Sequence, residues 1–390
     1  MLISMPAGSV QPSVAVSHLL RDRRKGLNLS VAEVTRRLAA KGTPIPHSTL
    51  IRIEQGKLDP GVRRLHQLLR LYDIPPELVA DFVDLENMAA KSVIEGDTDA
   101  LYDKATALWR SGELSQGLSY FFELRRRLSA EPGREAQRHQ ATLGFAVAAR
   151  DLGKFRLAKS LIDELLLDRP SGELTTKAFV LSASVWAGLG SLDVALAFIR
   201  DAVSRAPTAG PELGALVAHQ EAKLELKAGR TDEASRALTR ALSLYRALGD
   251  TYGEGRAAVL GVRIAETSGG ARKAIDAARK LVAFSEKHGH AKLALTGQLE
   301  LGRVLTNAGD HERGLEQLRQ ALGQAVRTED RNARLLAHHH LWKAYSASGD
   351  RARAQVELDS ARSLVRFVDD ASEEADEIRA LGAHGGTSDG

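Results

Sequence analysis

Three short apolar stripes open the chain. Val31, Val34 and Leu38 recur at helical spacing, Leu50 and Ile53 make a second stripe, and Leu65, Leu68 and Leu69 a third. Ser30 precedes the first stripe and Glu33 follows three residues later, so Ser30 can accept orphan amides at the helix start and Glu33 can answer back. Each stripe is too narrow to be buried alone, so these helices must pack on one another. Gly56 stands where the second helix needs a left-handed stop, and Pro60 lies just before a new helix over 61–72. Another candidate helix covers 76–87.

From about residue 98 a different punctuation takes over. An apolar helix ends at glycine, a polar turn follows, and a second apolar helix begins. The glycines are Gly112, Gly153, Gly190, Gly229, Gly269, Gly309 and Gly349, spaced 37 to 41 residues apart. Five residues beyond each stands Ala or Gly: Gly117, Ala158, Ala195, Ala234, Ala274, Gly314 and Ala354. Seven residues before each stand Ala105, Ala146, Ala183, Ala222, Val262, Gly302 and Trp342, five of them small. Small residues at two fixed offsets let paired helices approach closely. The pattern predicts seven helical hairpins over 98–368 and an all-α chain without strands. Residues 1–13 are expected to be a flexible N-terminus. The tail, 371–390, turns acidic and ends LGAHGGTSDG, and is expected to be disordered.

The second stripe lies within STLIRIEQGKLDP, residues 48–60, and the first within LSVAEVTRRL. Together they resemble the helix-turn-helix of phage-repressor/Cro type regulators, the xenobiotic-response-element class, over about residues 14–84. The turn, the E-x-G helix end and the trailing Pro fall where that family has them. The resemblance implies a five-helix DNA-binding domain, 14–90, whose second motif helix enters the major groove. It puts Pro46 at that helix start and His47, Ser48, Thr49 and Arg52 on its exposed side. Arg52 would take guanine O6 and N7, or else a phosphate or a neighbouring acid; His47 or Ser48 would donate to base or phosphate. Lys57 would contact phosphate. Ser30 and Val31 begin the first motif helix. The family often has Gln where this chain has Val31, so that contact is lost or replaced. The inter-helix segment AAKGTPIP is longer than usual, which changes the expected docking angle.

The two small offsets match positions 8 and 20 of the tetratricopeptide repeat, which the second region resembles. Its period of about 40 residues departs from the standard 34, so the helices or the inter-repeat loops must be longer. The Trp, Tyr and Pro consensus positions are mostly unfilled. In such repeats the first helix of each pair lines a concave face. The inward offset carries Lys223, Arg263, Arg303 and Lys343 in the last four repeats, and one turn away the same stripe carries His219 and His339. Two readings stand: an effector groove for an acidic peptide or carboxylate, or four solvated charges. The layout resembles peptide-pheromone-sensing transcriptional regulators. It implies double-stranded DNA, a peptide or protein effector in the repeat groove, and a homodimer formed through the last repeats or the helix over 76–87. The alternative is an interaction scaffold whose helix-turn-helix is a docking module.

Charge follows the same division. Residues 1–72 hold twelve Lys and Arg against four Asp and Glu, net +8; the remainder holds 42 against 46, net −4. A small basic domain on a mildly acidic body is the footprint of a nucleic-acid reader. The chain has no cysteine, hence no disulfide or thiolate metal site. No apolar run nears the ~20 residues of a membrane span, and MLISMPAGSV is a poor secretory signal. The expectation is a cytoplasmic protein. No P-loop is present, and Gly253-Glu254-Gly255 follows no predicted strand, so no nucleotide cofactor is expected. His338–His340 are consecutive, which on a helix splays them about 100° apart rather than onto one metal. No catalytic set can be nominated from spacing, so no enzymatic activity is expected.

Overall fold

The structure, a computed structural model, describes residues 13–91, 94–111, 113–208, 210–365 and 373–384. Helix dominates these residues, and none of them is in a strand. The chain divides into two compact units, Met1–Ala148 and Ala149–Gly390.

The first unit begins with α1 (Val14–Gly26), α2 (Val31–Ala40), α3 (His47–Glu54), α4 (Gly61–Tyr72) and α5 (Pro76–Lys91). Ser13 and Ser30 cap α1 and α2, their hydroxyls accepting from the Val16 amide at 3.1 Å and the Glu33 amide at 3.0 Å. The reciprocal half of the capping box does not form, because Arg36 and Arg37 take the Glu33 carboxylate. The stripes meet as their widths require: Val34, Leu38, Leu50, Ile53 and Leu68 are fully buried with Leu20 and Tyr72, while Leu65 is half-buried. Residues 1–12 of the expected flexible N-terminus lie outside the described residues, as does Gly112.

α6 (Thr98–Ser111), α7 (Leu114–Leu128) and α8 (Glu135–Asp151) follow. α5 packs on both α1 and α7. Glu86 of α5 accepts from the Ala15 amide at 2.6 Å, an acid on the positive end of α1. From α7, Arg127 donates to the Ile94 and Gly96 carbonyls at 2.8 and 2.7 Å. The five-helix head and the first hairpin thus share one compact unit.

The second unit holds α9 (Phe155–Leu167), α10 (Gly172–Gly188), α11 (Leu192–Arg205), α12 (Pro211–Lys227), α13 (Thr231–Leu248), α14 (Thr251–Lys287), α15 (Ala291–Asn307), α16 (His311–Arg327), α17 (Arg331–Ala347), α18 (Arg351–Val365) and α19 (Glu373–His384). Each packs on its neighbour in sequence, and alternate helices α10, α12 and α14, and α15 and α17, also touch. α14 is a helical hairpin broken at Gly270, where the backbone turns to φ 73° and ψ −178°, one residue past the expected glycine. The six residues beyond the standard period go into the helices. α15, α16 and α17 are each 17 residues long, and the turns 308–310 and 328–330 between them are short. The small residues at both offsets are buried in every repeat of this unit, apart from the half-buried Trp342.

Part of the tail departs from expectation: residues 373–384 form α19 rather than a disordered end, while 371–372 and 385–390 lie outside the described residues. Ala375 and Ile378 are fully buried against Leu335, Leu358 and Ala361, with Trp342, Val365 and Leu381 beside them. Acidic composition pointed to disorder, but an apolar side chain at every third position gives this segment a face to bury. Among the described residues no helix is long and apolar enough to cross a membrane.

Candidate functional site

α3 is held from behind and open in front. Leu50 and Ile53 bury its inner side, while His47, Ser48 and Arg52 are exposed and Thr49 is half-exposed. Its C-terminus closes through Gly56 at φ +67°: the Gly56 amide donates to the Ile53 carbonyl at 3.0 Å and the Lys57 amide to Arg52 at 2.9 Å. A side chain at Gly56 would be strained by that φ. Lys57 is thereby turned outward beside Arg52. Neither cation has an ion-pair partner among the described residues, and neither has His47. Ser30 is exposed and spends its hydroxyl on the α2 cap; Val31 is half-buried. The exposed Arg63 and Arg64 at the start of α4 extend the positive surface.

The stripe of cations on the first helices of the repeats is less bare than the sequence implies. Glu300 of α15, 4 % exposed, sits between Arg263 at 3.1 Å and Arg303 at 2.8 Å. Burial alone would raise its carboxyl; the two guanidiniums overcome this and hold it below the usual range. Arg303 also pairs with Glu266 at 2.8 Å, and Arg263 with Glu374 of α19 at 3.2 Å. Lys343 pairs with Glu377, whose other oxygen meets His339 Nε2 at 2.8 Å. Lys223 has no carboxylate within ion-pair distance among the described residues. The residue is exposed, yet protein surrounds it closely enough that burial, then Arg150 and Arg263, lower its pKa. His219 stands edge-on to Tyr245 with ring centroids 6.3 Å apart, and its Nδ1 is buried without a partner. Burial, with Arg256 and Lys223 nearby, pushes it down to about 4, so at neutral pH it carries no charge.

The histidine run splays. His338 meets Glu357 at 2.6 Å, His339 meets Glu377, and the buried His340 lies against His339, with its pKa lowered first by burial.

Residues 15–82 match the family described as helix-turn-helix domain. The head is a helix-turn-helix domain. A comparison with curated proteins gives no match. Among solved structures, the chain is similar to aspartyl phosphate phosphatase F from Bacillus subtilis, at 12% identity and TM-score 0.55, covering 95% of this chain and 97% of that one. It is similar to a Rap protein complexed with competence and sporulation factor, at 12% identity and TM-score 0.54, covering 73% and 79%. It also matches Bacillus thuringiensis PlcR in complex with the peptide PapR7 and DNA, at 15% identity and TM-score 0.43, covering 72% and 98%. At such identities the first two speak for the fold alone. The fold is all-α: a helix-turn-helix domain followed by a tetratricopeptide-like solenoid.

Three features of the two sites escaped the sequence reading. In the helix-turn-helix domain, Arg24 clamps Glu54 with two bonds of 2.8 Å, their side chains only 12% and 5% exposed, and also donates to the Leu29 carbonyl. This ties the end of α3 to α1 and to the turn before α2. The E-x-G motif was legible; its partner, 30 residues upstream, was not. Glu300 and the α19 carboxylates were the other two.

Proposed function

We propose that the protein is a sequence-specific DNA-binding transcriptional regulator. α3 of its helix-turn-helix domain reads the major groove, and its repeats hold an effector and form a homodimer. The observation that carries the DNA reading is the uncommitted charge beside α3. The neighbouring arginines Arg24, Arg36 and Arg37 are spent on Glu54 and Glu33, whereas Arg52 and Lys57 are left facing outward. Arg52, with His47, Ser48 and Thr49 in the first turn, faces base edges; Lys57, just past the helix end, faces phosphate. Ser30 and Val31 sit at the start of the helix that crosses the backbone.

The effector groove is assigned to the inner wall that carries Lys223, Arg263, Arg303, Lys343, His219 and His339. Fold likeness assigns no ligand; a row of cations on successive repeats, three of which already meet carboxylates of Glu300, Glu374 and Glu377, supports an acidic peptide or protein segment. A regulator rather than an enzyme is the reading. The test is a mobility shift of full-length protein against a randomised duplex pool. The expected result is enrichment of one sequence, with affinity falling steeply as salt rises. Uniform binding to every duplex, or none, would sink it.

A further inference from the structure

α19 lies against the cation-bearing helices α12, α14 and α17. It carries four carboxylates, Glu373, Glu374, Asp376 and Glu377, against one arginine, Arg379. Three of the four reach three different helices of the array. Glu373 meets Lys227 of α12 at 3.0 Å, Glu374 meets Arg263 of α14 at 3.2 Å, and Glu377 meets Lys343 and His339 of α17. The other flank, Ala375, Ile378 and Leu381, packs on the last hairpin.

Two accounts of α19 compete. Terminal helices of repeat arrays shield the exposed apolar end of the stack. That explains Ala375 and Ile378. It does not explain carboxylates turned back along the inner wall from the fourth repeat to the seventh, since a cap needs only a polar outer face. The grip is also light. Beside its apolar flank and a bond from Arg362 to the Leu381 carbonyl at 3.2 Å, it includes ion pairs in each of which at least one partner is 39–73% exposed, and exposed pairs contribute little each. Among the described residues Lys223 has no carboxylate within ion-pair distance.

We propose that the inner wall of repeats four to seven is a receptor for an acidic amphipathic helix, that α19 is its resident ligand, and that an outside segment with the same pattern, paired carboxylates followed by apolar residues three apart, competes for the same cations. This rests on the effector-binding reading of the repeats and names the chemistry of the ligand. The mode is helix-in-groove recognition, with apolar anchors giving grip and carboxylates giving register.

The test uses full-length protein and one probe, a fluorescein-labelled peptide of residues 373–384. Anisotropy titrations compare wild type, the double variant Glu374→Lys/Glu377→Lys, the single variant Ile378→Asp, and the double variant combined with Lys227→Glu/Lys343→Glu. A tethered helix competes at an effective concentration on the order of millimolar. The probe therefore binds both undocked variants at least about tenfold more tightly than wild type, and reversing the two wall charges abolishes the gain. Equal binding to wild type and the undocked variants, or no binding to them, overturns the proposal. Far-ultraviolet circular dichroism checks that each variant is folded; Ile378→Asp undocks the helix without touching any ion pair, so it decides if the charge variant misfolds. Duplex DNA affinity is read in the same samples. A probe that binds as expected but leaves DNA affinity unchanged keeps the receptor and removes only the regulatory role given to the repeats.

Discussion

Arg52 and Lys57 are both exposed and close in sequence, yet their loss should be felt differently. Arg52 projects from α3, so Arg52→Ala should cost about 1–3 kcal/mol and relax preference at one base pair. Lys57 follows the helix end, so Lys57→Ala should weaken all sequences alike and lower the salt slope by about one. Identical effects would put Arg52 on phosphate. His219 offers a test by pH. Its folded pKa of about 4 lies below the ordinary 6.5, so the unfolded chain binds more protons between those values. Stability should therefore fall as pH drops from 6.5 towards 4, by up to about 1.4 kcal/mol per unit. His219→Phe, which keeps the edge-on contact with Tyr245, should flatten that slope in urea melts at successive pH values; an unchanged slope would mean the ring is protonated in the fold. At this scale the sequence disclosed which positions carry charge but not where the charge goes. Arg263 stands 37 residues from Glu300 and 111 from Glu374, and no local spacing encodes partners brought together by the winding of the array.

Elements were legible where backbone geometry restricts the residue type. The small offsets are the clearest case, because two helices that touch leave no room for a side chain. Gly314 is the extreme: a Cβ there would lie 2.9 Å from the Thr306 nitrogen and 3.0 Å from the Gly302 carbonyl oxygen. Both are backbone atoms, which cannot swing aside. Gly314→Ala gains roughly 1 kcal/mol of helix propensity but overpacks the α15–α16 seam, at a cost of about 1–3 kcal/mol. The expected outcome is a net loss, read as a lower Tm; a rise would show that the seam relaxes freely. α19 was illegible for the opposite reason. Its composition is that of a solvated tail, and only the spacing of Ala375, Ile378 and Leu381, modest in twelve residues, marked a face to bury.

For the whole molecule the division of charge, basic head and acidic body, was plain from the sequence, whereas the division into compact units was not. A pair of helix-turn-helix domains on a two-fold axis reads half-sites about one helical turn apart. Light scattering at micromolar protein should accordingly report a dimer, and a monomer alone would count against paired half-sites. The placement of α5 between α1 and α7 carries a different consequence. Because one helix packs on both α1 and α7, the head and its first hairpin should move as one body. Mild digestion with a nonspecific protease should then release the head still joined to its first hairpin, and a stable fragment ending near residue 90 would mean that α5 lets go of α7.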